Sequence, residues 1–438
     1  MLTLKNTDRI LMLAPHPDDE TIAAGGILQE ALRLSLPVKV TVFTNGDNNE
    51  MSFALYQRHL VVSRQELLHM GELRRKESTA AMSLLGLPAD GLTFLGYPDF
   101  GTMDIFKKHW GSSPPLRSML TQVTGVPYPE CLSPQAPYAG ESILTDLKTI
   151  IIDFRPTIIL APMPEDMNPD HRSLYLFLKI TLWDLTGKIP PPVIYGYPVH
   201  ALNWPRPLGF FPQLDQVPPL FLSSPNIQKY RYNLTDPQIE KKKTMIDLYR
   251  TQTDYSARFL HAFARKNEIF TISPHIITLF QHEDSINWNR VTKYPTTPVS
   301  HMPTQPPPQK RIEALQFTTT ENSLCIKIFL QKLITKERGI DIFLFGYNQT
   351  VPFGEMPKIR LHIGWESKML VFDKETGIHV NNAGFSLADQ GKEILIHFPL
   401  TALRHPHFIL THTVTHTHDL PLEATAWHIL ELRNNHAK

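Results

Sequence analysis

Over the first 200 residues, short unbroken apolar runs alternate with longer stretches in which apolar positions recur every three or four residues. The runs Arg9–Leu13, Val38–Phe43, Leu92–Leu95, Thr157–Leu160 and Val193–Tyr197 predict strands covered on both faces. The stretches Glu20–Leu34, Gln65–Leu85, Gly140–Phe154 and His171–Leu185 predict the helices between them. Such crossovers are right-handed in nearly all sheets, so the expected fold class is α/β, a Rossmann-like, mostly parallel sheet flanked by helices. A further helix is expected over Asp236–Arg265, whose Ile239, Met245, Ile246, Leu248, Phe259, Leu260 and Phe263 keep mostly helical spacing. Gly101–Ala139, rich in proline, glycine and serine, breaks the alternation and reads as a lid or substrate loop.

After Tyr294 the pattern changes. Six prolines between Pro295 and Pro308 stiffen the chain toward polyproline II and exclude it from a sheet or helix interior. Beyond them, period-two runs at Ser323–Phe329, Gly339–Phe345, Ile359–Ile363, Lys368–Phe372, Glu393–Phe398 and Phe408–Thr415 predict a small all-β sandwich. The expected organisation is an α/β domain over residues 1–293, a proline-rich linker over 294–310 and a C-terminal β-sandwich over 311–438. Alternation along the last of these runs would set His412, His416 and His418 on one face and threonines on the other, a face that could bind a metal but reads rather as a solvent-facing polar strand.

Composition narrows the function classes. With 43 Lys+Arg against 42 Asp+Glu and no long run of one sign, the footprint of a nucleic-acid binder is missing. Cys131 and Cys325 stand alone, which argues against a disulfide framework or a thiolate zinc site and for a reducing compartment. No stretch reaches signal-peptide or membrane-span length, so a cytoplasmic protein is expected, with room for a homo-oligomer.

The strongest chemical signal is Ala14-Pro15-His16-Pro17-Asp18-Asp19-Glu20, where the first strand ends and the first helix begins. Ligands of open α/β sheets bind outside the carboxyl ends of strands, so His16 and Asp19 could both face the crevice. One imidazole and one carboxylate make two of the three protein ligands of a catalytic zinc ion. The third is expected from His171, in Asn168-Pro169-Asp170-His171-Arg172 after the fourth strand, which leaves Asp18 free as general base. The bland alternative is helix capping and dipole complementation by Asp-Asp-Glu, worth about 0.3–1 kcal/mol per charge.

These elements, with Thr44-Asn45-Gly46-Asp47 and Arg74-Arg75-Lys76-Glu77, resemble the PIG-L/LmbE-like family of zinc-dependent N-deacetylases over roughly residues 6–270. The resemblance implies a hydrolase that removes the N-acetyl group from an N-acetylglucosamine-type amino sugar or glycoconjugate, releasing acetate and a free amine. It implies one Zn2+ per chain held by His16, Asp19 and His171, with Asp18 as base, Asp170 as a supporting carboxylate and Arg74 near substrate. For Asp170 a helix N-cap is an equal alternative, and for Arg74 a surface pair with Glu77. A glycan-binding protein without activity, or a zinc amidase for another N-acyl conjugate, are the rival readings.

There is one departure. Many relatives carry His-Pro-Asp-His, whereas Asn168 stands here; asparagine can donate to an oxyanion but cannot act as a general acid near neutral pH. Either Asp18 serves as base and acid, or His200, after the fifth strand, supplies the proton. Asn203-Trp204-Pro205-Arg206-Pro207 reads as a rigid turn rather than a sugar platform, and Lys241-Lys242-Lys243 as a solvated face with at least one stem packed on the core.

Overall fold

The computed structural model describes residues 1–48, 63–111, 113–223, 227–296, 311–332, 338–364, 368–380, 384–418 and 420–432. The chain divides into two compact units, Met1–Ser273 and Pro274–Lys438.

The first unit holds strands β1 (Ile10–Ala14), β2 (Val38–Thr44), β3 (Leu92–Tyr97), β4 (Ile158–Pro162), β5 (Val193–Tyr197), β6 (Gln228–Asn233) and β7 (Asn267–Ile272). Its helices are α1 (Asp19–Arg33), α2 (Arg64–Leu85), α3 (Thr102–Lys108), α4 (Gly140–Phe154), α5 (Pro169–Asp184), α6 (Asp236–Ile246) and α7 (Arg250–His261). The sheet order is β3-β2-β1-β4-β5-β7-β6; the first five strands are parallel, and β7 and β6 add antiparallel. Every residue of β1 and β4 is buried, which requires apolar side chains on both faces and explains the unbroken runs. The strand order reverses between β1 and β4, and that reversal opens a crevice at their carboxyl ends.

Helix boundaries follow local chemistry. Ser63 and Glu66 form a reciprocal capping box at the start of α2, and Gly86 ends it with φ 96°. The helix expected from His171 begins two residues earlier, because Asn168 caps it and Pro169 suits its first turn. The single helix expected over Asp236–Arg265 is two: the chain tightens at Leu248 and Tyr249, and α7 kinks at Ser256. The break lets buried Tyr249 hydrogen-bond Thr21 Oγ1 and Glu20 Oε1, both at 2.8 Å. Lys242 is not solvated: it is buried and pairs with Glu268 at 2.7 Å. Trp204 is fixed by donating Nε1–H to the Val217 carbonyl at 2.6 Å, as a rigid turn requires.

The second unit holds β8 (Ile276–Ile277), β9 (Leu279–Phe280), β10 (Tyr294–Pro295), β11 (Ile312–Thr319), β12 (Ser323–Leu330), β13 (Arg338–Tyr347), β14 (Lys358–Ile363), β15 (Met369–Asp373), β16 (Ser386–Asp389), β17 (Glu393–Pro399), β18 (Phe408–Thr417), β19 (Leu420–Ala424) and β20 (His428–Glu431). One sheet runs β10-β11-β12-β17-β16 with β9 beside β11; the other runs β15-β14-β13-β18-β20-β8 with β19 beside β18. Alternate residues of both, among them Phe317, Ile326, Ile342, Leu361 and Ile396, form one apolar core.

Two expectations need correction here. The boundary lies near residue 273 rather than 293, because Ile276 joins the apolar core and β8, β9 and β10 pair with strands of the second unit. Of the linker expected over 294–310, Tyr294 and Pro295 are strand, and 297–310 lie outside the described residues. The solvent-facing histidine strand holds only in part: the histidine face of β18 is turned away from the apolar core, but His412 on it is covered. β18 is central in its sheet, Thr411, Thr413 and Thr415 are buried, and His412 stacks on Phe343 with a centroid separation of 4.6 Å, with Trp427 4.2 Å away. His418 lies past the strand at φ 51°, which ends the alternation.

Candidate metal centre

β1 delivers His16 and α1 begins at Asp19, so both side chains hang over the crevice at the point where the strand order reverses. The turn between them is tight enough to force Asp18 to φ 128°, a region that non-glycine residues occupy only when their surroundings hold them there. The holding contacts are visible. The Asp18 N–H donates to Glu20 Oε2 at 3.0 Å, and Glu20 in turn accepts from Ser78 and Tyr249. The Asp-Asp-Glu run is therefore more than a helix cap: Asp18 makes no side-chain capping bond.

Asp19 Oδ2 sits between two imidazoles, 3.2 Å from His16 Nδ1 and 3.1 Å from His171 Nε2, and accepts the His16 backbone N–H at 2.9 Å. The nearest donor atoms of His16, Asp19, His171 and His200 all lie within 4.8 Å of one another. His171 is wholly buried, with carboxylate oxygens 3.1 Å from Nε2 and 3.2 Å from Nδ1 but no well-aligned hydrogen bond at either nitrogen. A buried nitrogen left in that state is costly unless something else takes its lone pair.

Four further groups frame this centre. Asp166 Oδ2 lies 3.2 Å from His171 Nδ1 and accepts the N–H groups of Val199 and His200 at 3.2 and 3.0 Å. Asp99, at the end of β3, places Oδ1 3.1 Å from His16 Nε2. Asp170 Oδ2 lies 3.3 Å from the same nitrogen and accepts the Phe100 N–H at 2.6 Å, while its Oδ1 accepts from Thr102. Asp170 thereby ties the start of the Gly101–Ala139 segment to the centre. Arg74 is buried; it donates to the carbonyls of Gly46 and Pro17 at 3.1 and 2.9 Å and lies 3.4 Å from Asp18 Oδ2. Gly46 permits this approach: at φ 68°, a Cβ there would fall 2.0 Å from Arg74 Nη1.

The electrostatics follow from the crowding. Burial pushes Asp18 up to about 8, with Arg74 pulling it down and Asp19 pushing it further up. Burial would also raise Asp19, yet His171 and His16 hold it well below the usual carboxylate range. Burial opposes charge on His171, but Asp166 and Asp19 outweigh it and raise the ring to about 9. His16 is likewise held high against burial by Asp99, Asp170 and Asp19. His200 differs: burial dominates and pushes it down to about 4, so its ring is neutral near pH 7. Two imidazoles can hold protons here only because carboxylates converge on them, and the same converging negative charge suits a dication. The donor set of two imidazoles and a shared carboxylate fits a zinc-type ion with an open position.

The family described as PIG-L: GlcNAc-PI de-N-acetylase matches residues 11–181. A 1D-myo-inositol 2-acetamido-2-deoxy-alpha-D-glucopyranoside deacetylase from Mycobacterium sp. strain KMS is 30% identical over 169 residues, 37% of this chain and 46% of that protein. The chain thus spans about half the length of the curated relatives it matches. Among solved structures, an N,N'-diacetylchitobiose deacetylase from Pyrococcus horikoshii is 19% identical with TM-score 0.38, covering 60% of this chain and 84% of that one. The A40926 pseudoaglycone deacetylase Dbv21 is 16% identical with TM-score 0.39, covering 60% and 96%.

Within the matched residues 11–181 and the strand ends beside them, the structure brings His16, Asp18, Asp19, Arg74, Asp170, His171 and His200 into one cluster. Arg74 is not a surface partner of Glu77, whose carboxylate instead accepts from Thr251. Asp170 is not the cap of α5: Asn168 is, its Oδ1 accepting the Asp170 N–H at 2.8 Å. Asp99 and Asp166 were missed. Asp166 stands two residues before the Asn168-Pro169-Asp170-His171 motif, whereas the Pro98-Asp99 turn carries no local signal. Among the described residues no helix is long and apolar enough to cross a membrane.

Proposed function

We propose that the first unit hydrolyses the acetamide of an N-acetylated amino sugar, using one Zn2+ held by His16, Asp19 and His171. The observation that carries this reading is the shared Asp19 oxygen, 3.2 Å from His16 Nδ1 and 3.1 Å from the buried His171 Nε2. When bound, the ion would supply Lewis acidity to the acetamide carbonyl and lower the pKa of water.

This chain's residues do the rest. Asp18 accepts a proton from the attacking water as its oxygen bonds to the acetamide carbon. Its high metal-free pKa comes from burial, and a nearby cation draws it down into a range suited to a base. Arg74 fixes the Asp18 loop through Pro17 and Gly46 and shares the charge of Asp18 Oδ2. Asp99 and Asp170 hold His16, and Asp166 holds His171, so that each ring keeps its orientation. When the C–N bond breaks, the proton held by Asp18 passes to the leaving nitrogen, and acetate and a free amine depart. His200 would serve as an additional donor of electron density or a hydrogen-bonding group, because a ring with pKa near 4 carries no proton to give at pH 7.

A small-molecule or glycoconjugate amino sugar is the proposed partner, and a reducing compartment fits the two free, buried cysteines. The test is acetate release from 1D-myo-inositol 2-acetamido-2-deoxy-alpha-D-glucopyranoside and from N,N'-diacetylchitobiose, with wild type, chelated wild type and His171→Ala. Release that stops on chelation, returns with Zn2+ and is absent in His171→Ala is expected. Release of a larger acid from other N-acyl conjugates, with no acetate, would replace the acetyl reading by a wider amidase.

A further inference from the structure

The second unit carries a His-Asp-His set of its own, assembled by strand register. β14, β13 and β18 are neighbours; Asp341 on β13 stands opposite His362 on β14, and His416 on β18 stands opposite Gly339, two residues before Asp341 on the same face. The three side chains therefore meet on the face of the sheet turned away from Ile340 and Ile342, which lie in the apolar core. His362 Nδ1 is 2.9 Å and His416 Nε2 3.7 Å from Asp341 Oδ1, and the three donor atoms lie within 4.8 Å of one another. Ligands of a tetrahedral zinc ion at its usual bond lengths stand about 3.3 Å apart, between these two distances.

The tautomer of His416 is set. Its Nδ1 lies 2.7 Å from the His418 carbonyl, which can only accept, so Nδ1 carries the hydrogen and Nε2 presents its lone pair to the cluster. That Nε2 is buried without a hydrogen bond. Gly339 makes the room: a Cβ there would come 2.7 Å from His416 Nε2 and 3.2 Å from His362 Cε1. Arg360 lies toward the other oxygen, Oδ2 of Asp341, at 4.0 Å, which leaves Oδ1 to the imidazoles.

We propose that Asp341, His362 and His416 form a second binding site, for a divalent transition-metal ion of the zinc type, independent of the centre in the first unit. Two imidazoles and one carboxylate favour zinc and its neighbours over calcium or magnesium, and solvent can reach the remaining coordination position. Binding at His362 Nδ1 requires the tautomer with its hydrogen on Nε2, so the ion takes the place of the His362–Asp341 hydrogen bond.

The test uses the full chain and Zn2+ alone. A His16→Ala/His171→Ala variant, loaded with Zn2+ and dialysed against a weak chelator, should retain about one equivalent and unfold at a higher temperature than without zinc. Adding Asp341→Asn or His416→Gln should remove both effects. If the first-unit variant does not fold, Asp341→Asn and His416→Gln in the otherwise unchanged chain should each lower zinc content by about one equivalent relative to wild type. No zinc retained by the first-unit variant, or zinc content untouched by Asp341→Asn and His416→Gln, overturns the proposal.

Discussion

Both units place two histidines and an aspartate together, yet they do so by different means. In the first unit, residues 16, 19 and 171 converge because parallel strands return their carboxyl ends to one edge, and loops close over them until His171 is wholly buried. In the second, residues 341, 362 and 416 sit on the open face of an antiparallel sheet, each partly exposed. Depth separates the chemistry available to the two. In the buried crevice Asp18 is pushed up to about 8 and five carboxylates, Asp18, Asp19, Asp99, Asp166 and Asp170, crowd two rings. On the open face a single carboxylate meets two rings, and among the described residues Asp341 is the one carboxylate in that cluster. One site suits reaction and the other suits holding an ion.

The largest effect should come from removing the group that marks this difference. Asp18→Ala is expected to lower acetate release by about a thousandfold, within the range of general-base removal, while zinc content and fold stay unchanged. Turnover at the wild-type rate would erase the distinction between a reacting and a holding site. Next is Arg74→Met. Arg74 lowers the Asp18 pKa, so its loss should move the ascending limb of the pH–rate profile to higher pH and reduce kcat by about ten- to a hundredfold. An unshifted limb with reduced kcat would mean that Arg74 acts through Pro17 and Gly46 alone. Gly46→Ala tests that route. With φ 68° and a Cβ 2.0 Å from Arg74 Nη1, it should cost about 1–3 kcal/mol in denaturant unfolding and displace the guanidinium.

The two sites also differ in how far the sequence reveals them. His16 and Asp19 are three residues apart at the end of an unmistakable strand, and His171 follows another, so topology alone brings them together. Asp99 escaped because a Pro-Asp turn after a strand is ordinary, and the capping role of Asn168 shows only once the start of α5 is placed. The alternating strands of the second unit were legible as elements, but not their pairing. His412 and His416 share a face of β18, yet one stacks between Phe343 and Trp427 and the other meets Asp341 and His362. Only the register against β13 and β14 decides this, and a one-residue slip would undo it. The boundary near residue 273 was missed for the same reason: Ile276–Ile277 and Leu279–Phe280 are too short to announce themselves as strands without partners.

The smallest effect probes a histidine that belongs to neither set. His428 is on β20, 6.3 Å ring to ring from Phe317 of the sandwich core, and its Nε2 is buried without a hydrogen bond. Burial pushes its pKa down to about 4, below the value near 6.5 expected when unfolded. As pH falls through 6.5 the unfolded chain takes up a proton that the folded ring refuses, so stability declines until about pH 4 and then levels. The full shift would be worth about 3 kcal/mol at 1.36 kcal/mol per unit, and partial exposure of the residue reduces the expectation to about 1–2 kcal/mol. His428→Leu should remove that loss. Denaturant unfolding of both chains at about pH 7 and about pH 4.5 reads it as a smaller fall in stability for the variant. Equal falls would mean that the ring accepts its proton in place. The interior of the second unit would then tolerate charge as the first-unit crevice does, and burial alone would no longer distinguish the two.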